Sequence, residues 1–360
     1  MHTETVDVAV IGGGAMGLAA AWELTRRGVR PVVFERFERG HTRGASHGAT
    51  RNFNDAYAEE HYLDLLTRAR EGWEALSPAD GEPLLRRHGL VTHGEHDLDA
   101  VQRGLASRGT RAELLDGREA ARRWPGMRFE ERVLFSPDAG VVRAAAALTE
   151  LERRIVLAGG EVRWSCPVSG IREDDAGVTV SLGAGTVRAD AVIVTAGAWT
   201  RPLLPSVPLP RLVVTEETPA HFAPRADDAW PSFNHYVGAR FPATVYGMPT
   251  PGEGVKVGFH GVGDEVDPDE RPHRPTRQRE LAEYVREWMP GLDAATAVPI
   301  SCTYTSTDTG DFVLDRRGRV VFGAGFSGHG FKFVPAVGAV LADLALDPAA
   351  AAHPAFRLPV

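Results

Sequence analysis

The chain opens with a short apolar run that is followed at once by closely spaced glycines. Residues 6–11, VDVAVI, are mostly β-branched and apolar, which predicts a buried parallel strand. After the glycines, the stretch AMGLAAAWELTRRG has its apolar residues at helical spacing. Residues 31–34, PVVF, then predict a second strand that ends at Glu35. This order of strand, tight turn, helix and strand is typical of a βαβ unit.

The periodicity changes repeatedly along the rest of the chain. Apolar residues recur at helical spacing over three segments, and a last helix is predicted to start near Pro335; the three segments are 59–76, 143–158 and 276–288. Residues 189–199, ADAVIVTAGAW, predict another buried strand that ends in a turn of small residues. Alternating segments between 211 and 306 predict a mixed or antiparallel sheet.

These elements predict an α/β fold with an α+β second lobe. A Rossmann-type nucleotide-binding domain is interleaved with a substrate domain that is built on a mixed β-sheet. The predicted nucleotide-binding segments are 1–58, 143–210 and 307–360. The predicted substrate-domain segments are 59–142 and 211–306.

Composition and charge exclude several classes of protein. A formal net charge of -8 with no basic tail argues against a nucleic-acid partner. No apolar run reaches the roughly 18 residues that a membrane span needs, and the N-terminus lacks the pattern of a signal peptide. Two cysteines cannot form a disulfide framework. We therefore expect a cytoplasmic monomer without membrane contact.

The glycines have the spacing of a dinucleotide-binding turn. Gly12 permits the tight turn, Gly14 lets the backbone approach a pyrophosphate, and Gly17 allows close packing of helix on strand. Glu35 is then placed to accept hydrogen bonds from a ribose. This motif alone does not separate NAD from FAD. A second strand and turn, which includes Ala196 and Gly197, favours FAD, because a flavin nucleotide contacts several distant segments.

Lysine is rare in this sequence, and both lysines lie in candidate site motifs. The chain has 40 basic residues, of which only Lys256 and Lys332 are lysines. Lys332 belongs to the glycine-rich and aromatic stretch GAGFSGHGFKF, residues 323–333. A lysine is a compact ammonium on a slender stem, which fits a narrow slot that a planar guanidinium does not. The two lysines therefore indicate chemistry rather than solubility.

Four stretches together resemble one family of enzymes. They are IGGGAMG at 11–17, GASHGATRNFNDAY at 44–57, SCTYTSTDTGDFVLD at 301–315 and GAGFSGHGFKF at 323–333. In this order they are similar to the monomeric sarcosine oxidase and N-methyltryptophan oxidase group of the D-amino acid oxidase-type flavoenzymes. The resemblance runs nearly from end to end and implies FAD as the cofactor.

The resemblance also implies roles for individual residues. Cys302 matches a cysteine that is bonded covalently to the flavin, and Lys332 matches the lysine that pairs with the substrate carboxylate. Lys256 matches the lysine that activates oxygen beside the flavin. His260 matches an active-site histidine, and Tyr246 matches a tyrosine that lines the substrate pocket. In an extended strand, Lys256 and His260 point to the same face.

One position departs from the family pattern. Arg51 matches the first arginine of a T-R-x-x-R motif, whereas Asn54 replaces the second, which helps to bind the substrate carboxylate. Loss of one charge weakens carboxylate binding, so a small substrate such as sarcosine is disfavoured and a larger one is expected. Further flavin contacts are predicted along the same stretches, at Arg36, Ser46, Thr50, Arg51, Val168, Trp199, Gly325, Gly328, His329, Gly330, Phe331 and Lys332.

The function that follows is an FAD-dependent amine oxidase. It would oxidise the C–N bond of a secondary amine or of an N-methyl or cyclic amino acid to an imine and reduce O2 to H2O2. The alternatives are a flavin dehydrogenase, a primary amino acid oxidase of the same fold, and a flavin-bound accessory protein without turnover. No metal site is expected, since His88, His93 and His96 lack a ligand pattern and are predicted at the surface.

Overall fold

The computed structural model describes residues 4–358, in which strands outnumber α-helices. The eight α-helices of this part of the chain are α1 (Ala15–Arg26), α2 (Glu60–Leu76), α3 (Leu98–Ser107), α4 (Gly117–Arg123), α5 (Ala144–Leu157), α6 (Thr200–Leu203), α7 (Gln278–Trp288) and α8 (Val334–Leu346).

The strands between residues 4 and 358 number 22, and most of them belong to two large sheets. They are β1 (Glu4–Ile11), β2 (Val32–Phe34), β3 (Thr50–Phe53), β4 (Leu85–Arg86), β5 (Leu90–Gly94), β6 (Glu113–Asp116), β7 (Arg132–Ser136), β8 (Gly140–Arg143), β9 (Glu161–Arg163), β10 (Val168–Asp174), β11 (Gly177–Leu182), β12 (Gly185–Val194), β13 (Val213–Glu217), β14 (Ala220–Phe222), β15 (Ser232–Tyr236), β16 (Val245–Thr250), β17 (Gly254–Phe259), β18 (Asp264–Glu265), β19 (Val298–Pro299), β20 (Cys302–Ser306), β21 (Val313–Arg317) and β22 (Val320–Ala324).

The first large sheet is parallel at its centre. Strand β1 pairs in parallel with β12 on one side and with β2 on the other, and β22 pairs in parallel with β12. The sheet continues through β2 to β9 and through β12 to the antiparallel β11 and β10. Helix α1 packs against α5 and α8 in the core over this sheet. The prediction of a Rossmann-type α/β domain is confirmed.

The second large sheet has eight strands in the order β19-β14-β17-β16-β15-β5-β7-β6. All its pairs are antiparallel except β15 with β5, which makes the sheet mixed, as predicted. Helix α7 buries Leu281, Tyr284 and Val285 in the core on this sheet. The sheet carries Tyr246 on β16 and Lys256 on β17, so it positions the candidate catalytic side chains.

Helix α2 connects the glycine-rich stretch 323–333 with the hydrophobic core that covers the first large sheet. It packs on α8, and the Nε1 atom of Trp73 donates a hydrogen bond to the carbonyl of Lys332 at 2.9 Å. A Cβ atom added at Gly72 would lie 2.3 Å from Pro335 Cβ, so the two helices touch at the start of α8. This contact fixes the backbone that carries Lys332.

Two histidines stack on each other in the interior of the second large sheet. The ring centroids of His93 on β5 and His235 on β15 are 3.9 Å apart, and His93 is 1% exposed. The prediction that His93 lies at the surface is therefore wrong, because the parallel pairing of β5 with β15 buries it. His88 is half-buried and His96 is exposed. Burial lowers the pKa of His93 well below its usual value and lowers the pKa of His235 to about 4.

This pair makes the fold sensitive to acid. Below pH 6.5 the unfolded chain binds protons on both histidines, whereas the folded protein leaves the two rings neutral. Each ring should therefore reduce the free energy of unfolding by about 1.4 kcal/mol per pH unit as the pH falls from 6.5 towards 4. The substitution His93→Asn should remove one such contribution, as measured by urea unfolding of the flavin-loaded protein at a series of pH values.

The matched control is His353→Asn, because His353 is exposed; its side chain accepts a hydrogen bond from the backbone of Ala355 and lies against the rings of His61 and Phe356. This substitution should leave the slope of unfolding free energy against pH unchanged. Equal slopes for wild type and His93→Asn would contradict the prediction.

Candidate active site

The turn between β1 and α1 depends on two glycines. Gly12 has a φ of +103°, and a Cβ atom there would lie 2.5 Å from the carbonyl oxygen of Thr195. A Cβ atom at Gly17 would lie 1.9 Å from the carbonyl oxygen of Gly12. No side chain fits at either position, so the turn is tight and the N-terminus of α1 lies against the end of the parallel strands. The free N–H groups at such a helix start are a site for anions.

Glu35 at the end of β2 is held in place by backbone donors. Its Oε2 atom accepts a hydrogen bond from Gly13 N at 2.7 Å, and its Oε1 atom accepts one from Phe37 N at 2.9 Å. The residue is buried. Ser46 lies nearby, where its Oγ atom accepts a hydrogen bond from Ala15 N at 2.9 Å. The Glu35 carboxylate and the first residues of α1 therefore lie side by side on the wall of a cavity.

That wall belongs to a cavity of about 870 Å³ at the carboxyl ends of the parallel strands. Its volume lies within the ordinary range for ligand cavities, and its wall combines helix N–H groups with a fixed carboxylate, which suits a dinucleotide. The predicted cofactor residues that line it are Gly12, Gly14, Glu35, Arg36, Ser46, Arg51, Val168, Ala196, Gly197, Trp199, Cys302, Gly325, Gly328, Gly330 and Phe331.

Four predicted cofactor residues lie elsewhere. Gly17 packs behind the cavity wall against Gly12. Thr50 is buried, and its Oγ1 atom is hydrogen-bonded to Thr250 Oγ1 at 2.7 Å. His329 and Lys332 line a second cavity of about 700 Å³. Gly17 thus supports the first cavity from behind, Thr50 contacts the strands of the second sheet, and the other two residues line the second cavity.

The second cavity gathers all the residues predicted to be catalytic or to bind substrate. They are Arg51, Asn54, Tyr246, Lys256, His260 and Lys332. Cys302, Gly328 and Phe331 line both cavities, as does Arg51, so these residues mark the place where the two cavities meet. Both lysines of the chain therefore line the cavity that meets the first one at Cys302.

Arg51 holds the loop at this junction. Its guanidinium donates to the carbonyl oxygens of Ala45 at 2.8 Å, His47 at 2.5 Å and Thr50 at 2.9 Å. The same group lies 4.0 Å from Cys302 Sγ. Most of its donors are used by the backbone, so Arg51 fixes the loop and offers little binding capacity to a substrate.

Lys332 is buried beside neutral acceptors. Its Nζ atom donates to the carbonyl oxygen of His329 at 2.8 Å and to Tyr57 Oη at 3.0 Å, and it is 4% exposed. No carboxylate of the described residues forms an ion pair with it. Burial without a counter-charge lowers the pKa of Lys332 to about 7.

The hydrogen bonds of Tyr57 have a defined direction. Nε2 of His329 lies 3.1 Å from the carbonyl oxygen of Gly310, which only accepts, so Nε2 carries the proton. Burial lowers the pKa of His329 to about 3, so the ring is neutral and its Nδ1 atom accepts from Tyr57 Oη at 2.9 Å. Tyr57 therefore presents its oxygen lone pairs to Lys332.

Lys256 has even fewer partners. Its Nζ atom donates to the carbonyl oxygen of Thr50 at 3.3 Å, and the residue is 5% exposed. Burial, with the nearby charge of Arg51, lowers the pKa of Lys256 to about 8. Among residues 4–358, no carboxylate oxygen lies within ion-pair distance of this ammonium. Lys256 and His260 face the same cavity from β17 and its end, as the strand period predicts.

Aromatic hydroxyls complete the wall. A Cβ atom at Gly258 would lie 3.1 Å from Tyr246 Oη, so the glycine makes room for this ring. Tyr304 Oη lies 3.3 Å from His260 Nδ1, and a Cβ atom at Gly328 would lie 2.2 Å from the Tyr304 ring. Burial raises the pKa of both tyrosines, which keeps them protonated as donors.

The side chain of Asn54 hydrogen-bonds to the backbone of its own turn. Its Oδ1 atom accepts a hydrogen bond from Ala56 N at 2.8 Å, which closes the turn that leads to Tyr57. The second arginine of the family motif is absent, and Arg51 is engaged with carbonyl oxygens. Lys332 and Lys256 are buried cations of this cavity that each keep a free N–H donor and have no carboxylate partner among the described residues.

Sequence reasoning missed several residues of the second cavity. Tyr57 and Tyr304 lie inside the quoted motifs, and the signal was their position near the arginine and the cysteine. His221, Glu253 and Arg271 also line the cavity, and no local pattern marks them. In the part of the chain between residues 4 and 358, no cluster of three metal-ligating side chains is found. The same residues include no helix with the length and apolar content of a membrane span.

Comparison with known proteins agrees with this geometry. The family described as FAD dependent oxidoreductase matches residues 7–344. The N-methyl-L-tryptophan oxidase of Salmonella arizonae is 32% identical over 363 aligned residues, which cover 95% of each chain. The homologue of Salmonella agona is 32% identical and covers 94% of each chain.

Solved structures show the same fold. NikD, an unusual amino acid oxidase essential for nikkomycin biosynthesis, superposes in its open form with a TM-score of 0.84 and 27% identity, covering 96% of this chain and 95% of that one. The glycine oxidase of Geobacillus kaustophilus has a TM-score of 0.76 and 22% identity over 95% of each chain, which shows the fold alone. With a family match over most of its length and a relative at 32% identity, the chain belongs to the FAD-dependent oxidoreductases of the D-amino acid oxidase type.

Proposed function

We propose that this protein is an FAD-dependent amine oxidase that acts on a secondary amine in an N-methyl or cyclic amino acid. One observation carries the proposal: both lysines line a single cavity that joins the dinucleotide cavity at Cys302. Bound FAD would supply a ring that accepts a hydride from the carbon next to the amine nitrogen and passes two electrons to O2. The residues of the second cavity would hold the amine, its carboxylate and the oxygen.

The cofactor would lie in the first cavity, along the segments 1–58, 143–210 and 307–360. The turn at Gly12 and Gly14 with the start of α1 would hold the pyrophosphate, and Glu35 retains lone pairs for a ribose. Cys302 lines both this cavity and the second one, which supports a place for its thiol beside the flavin ring. We therefore assign the covalent link to Cys302.

The substrate carboxylate would bind Lys332. This ammonium has no carboxylate partner among the described residues, so an arriving anion supplies the missing counter-charge in a dry site. Tyr246 and His260 would line the place of the amine. The cavity of about 700 Å³ exceeds the needs of sarcosine, and Asn54 adds no second charge, so the substrate is a larger amino acid.

Lys256 would serve oxygen reduction. Its ammonium is buried beside the junction, where a fixed positive charge stabilises the negative charge that develops on oxygen. The names of the relatives, N-methyl-L-tryptophan oxidase and NikD, an unusual amino acid oxidase, support an amino acid as donor. We also propose a cytoplasmic monomer whose substrate domain comprises segments 59–142 and 211–306.

Anaerobic mixing with candidate substrates tests this function. An N-methyl or cyclic amino acid should bleach the flavin absorbance, and admitting O2 should restore it with one H2O2 formed per substrate oxidised. The methyl ester of the same substrate is the matched control, because it lacks the carboxylate and should bind at least about tenfold more weakly. Bleaching without fast reoxidation would indicate a dehydrogenase, and no bleaching by any amine would indicate an accessory protein.

A second test concerns the covalent link. In the substitution Cys302→Ser the side chain cannot form the thioether, so acid precipitation should release the yellow colour into the supernatant. The wild-type protein should keep its flavin in the pellet under the same conditions.

The matched control for this experiment is Cys166→Ser, because Cys166 is the other cysteine of the chain and lies outside both cavities. Its pellet should stay yellow. Release of flavin from the wild-type protein, or retention of flavin in the pellet of Cys302→Ser, would contradict the assignment of the covalent link to Cys302.

The lowered pKa of Lys332 predicts proton-linked binding of carboxylates. A carboxylate binds the ammonium form, which prevails below pH 7, so the affinity should fall up to about tenfold per pH unit above pH 7. Binding at pH 8 should take up nearly one proton per ligand. Benzoate binding to the flavin-loaded protein, followed by calorimetry in buffers of different ionisation enthalpy, measures both quantities.

Two variants separate this effect from other groups. Lys332→Met should abolish the proton uptake and weaken benzoate binding, whereas Lys256→Met should keep the inflection near pH 7. An affinity that stays constant between pH 6 and pH 9 in the wild type would rule out Lys332 as the carboxylate partner.

A further inference from the structure

A buried histidine lies beside Lys256 on the neighbouring strand. His221 on β14 is directly opposite Lys256 on β17 in their antiparallel register. Residues in such a pair share one face of the sheet, with Cβ atoms roughly 4.5–5.5 Å apart. Both side chains line the second cavity. The imidazole and the ammonium are therefore neighbours on the same wall.

Glu253 continues this row towards the solvent. It lies in the turn that joins β16 to β17, and its Oε2 atom is 3.3 Å from His221 Nε2. The side chain of Glu253 is 48% exposed, whereas that of His221 is 6% exposed. The order Glu253, His221, Lys256 thus runs from open solvent to an enclosed ammonium.

His221 has no competing structural task among the described residues. Its Nε2 atom is buried and makes no hydrogen bond of proper geometry there. Leaving a buried polar atom without a partner reduces stability, so this ring is not explained by packing alone. Burial, with the charge of Lys256, lowers the pKa of His221 to about 4. A neutral imidazole can accept a proton on one nitrogen and release one from the other.

The reduction of oxygen creates a need for such a ring. Forming H2O2 from O2 takes two electrons and two protons, and FAD bound in the first cavity would supply both electrons and one of the protons. The second proton has to come from solvent in every turnover. Lys256 is 5% exposed and hydrogen-bonds to Thr50 only, so after giving up a proton its amine depends on a route from outside.

We propose that Glu253 and His221 return the proton to Lys256. A proton passes from solvent to the Glu253 carboxylate and on to His221 Nε2, while the proton on Nδ1 passes to the Lys256 amine. A flip of the imidazole ring then restores the starting tautomer for the next turnover. One proton thereby moves from solvent to reduced oxygen per turnover, and no electron moves along this row. His221 acts through Lys256 and is a positioning residue. The proposal rests on the proposed function, because it requires O2 to be the acceptor of the electrons.

Other groups that face Lys256 are less suited to this task. They are Thr50 and Arg51 of β3, Tyr246 and Met248 of β16, His260 after β17, and Cys302 of β20. Arg51 is permanently charged and bound to carbonyl oxygens, and burial raises the pKa of Tyr246. Glu253 with His221 forms the row that connects this ammonium to an exposed carboxylate.

Reoxidation after photochemical reduction of the flavin tests the relay without any amine substrate. The variants His221→Ala, His221→Phe and Glu253→Gln should be reoxidised by O2 about tenfold to a hundredfold more slowly than wild type. Added imidazole should restore the rate of His221→Ala but not of His221→Phe, which leaves no space for it. His353→Asn is the control and should react at the wild-type rate. A wrong substrate class would leave these results unchanged.

The scarcity of lysine gives a second readout that is independent of turnover. Incorporation of [ε-13C]lysine into the flavin-loaded protein should give two signals, from Lys256 and Lys332. In Glu253→Gln the titration midpoint of Lys256 should fall below about 8, because a nearby negative charge is lost, while the midpoint of Lys332 should stay near 7.

Three results would overturn the relay. The first is reoxidation of His221→Phe and Glu253→Gln within twofold of wild type. The second is a slow His221→Ala protein that imidazole does not rescue, since that outcome indicates a structural role. The third is a shift of both lysine signals in Glu253→Gln, which indicates a general change of the cavity.

Discussion

The site depends on holding two buried ammonium groups that form no ion pair with a carboxylate of residues 4–358. Lys256 and Lys332 are each held by backbone carbonyl oxygens, and Lys332 also by a tyrosine hydroxyl. Removing a charge from water is costly unless a partner is present, so both amines lie closer to neutrality than a surface lysine. An anion that binds in this cavity would therefore supply the counter-charge that these amines lack. The surrounding folds serve to hold these two amines in place.

The two sheets supply the rigidity that this arrangement needs. The parallel sheet brings the start of α1 and the end of β2 to one cavity, and the mixed sheet presents Lys256 on a central strand. Lys332 is fixed from the other side, because Trp73 on α2 binds its carbonyl group. Each lysine is thus held by a different part of the fold, Lys332 by the core of the parallel sheet and Lys256 by the mixed sheet. The site lies where these two parts meet.

Local patterns predicted much of this molecule. The βαβ unit, the α/β class and the mixed sheet followed from periodicity, and the alternation of strand residues placed Lys256 and His260 on one face. Pairing between distant strands was not accessible in the same way. His221 meets Lys256 only through the β14–β17 register, and His93 is buried only because β5 pairs with β15. A sequence pattern indicates on which face of its strand a residue lies. The neighbouring strands, which the pattern does not identify, determine which side chains pack on that face.

The burial of both lysines also determines the chemistry of the exterior. Between residues 4 and 358 the outer surface carries guanidinium groups as its permanent cations and presents no primary amine. Aldehydes released by oxidation of N-methyl compounds condense readily with amines to form Schiff bases. Such an aldehyde meets no lysine side chain on that outer surface, and the two lysine amines of the chain both line the second cavity.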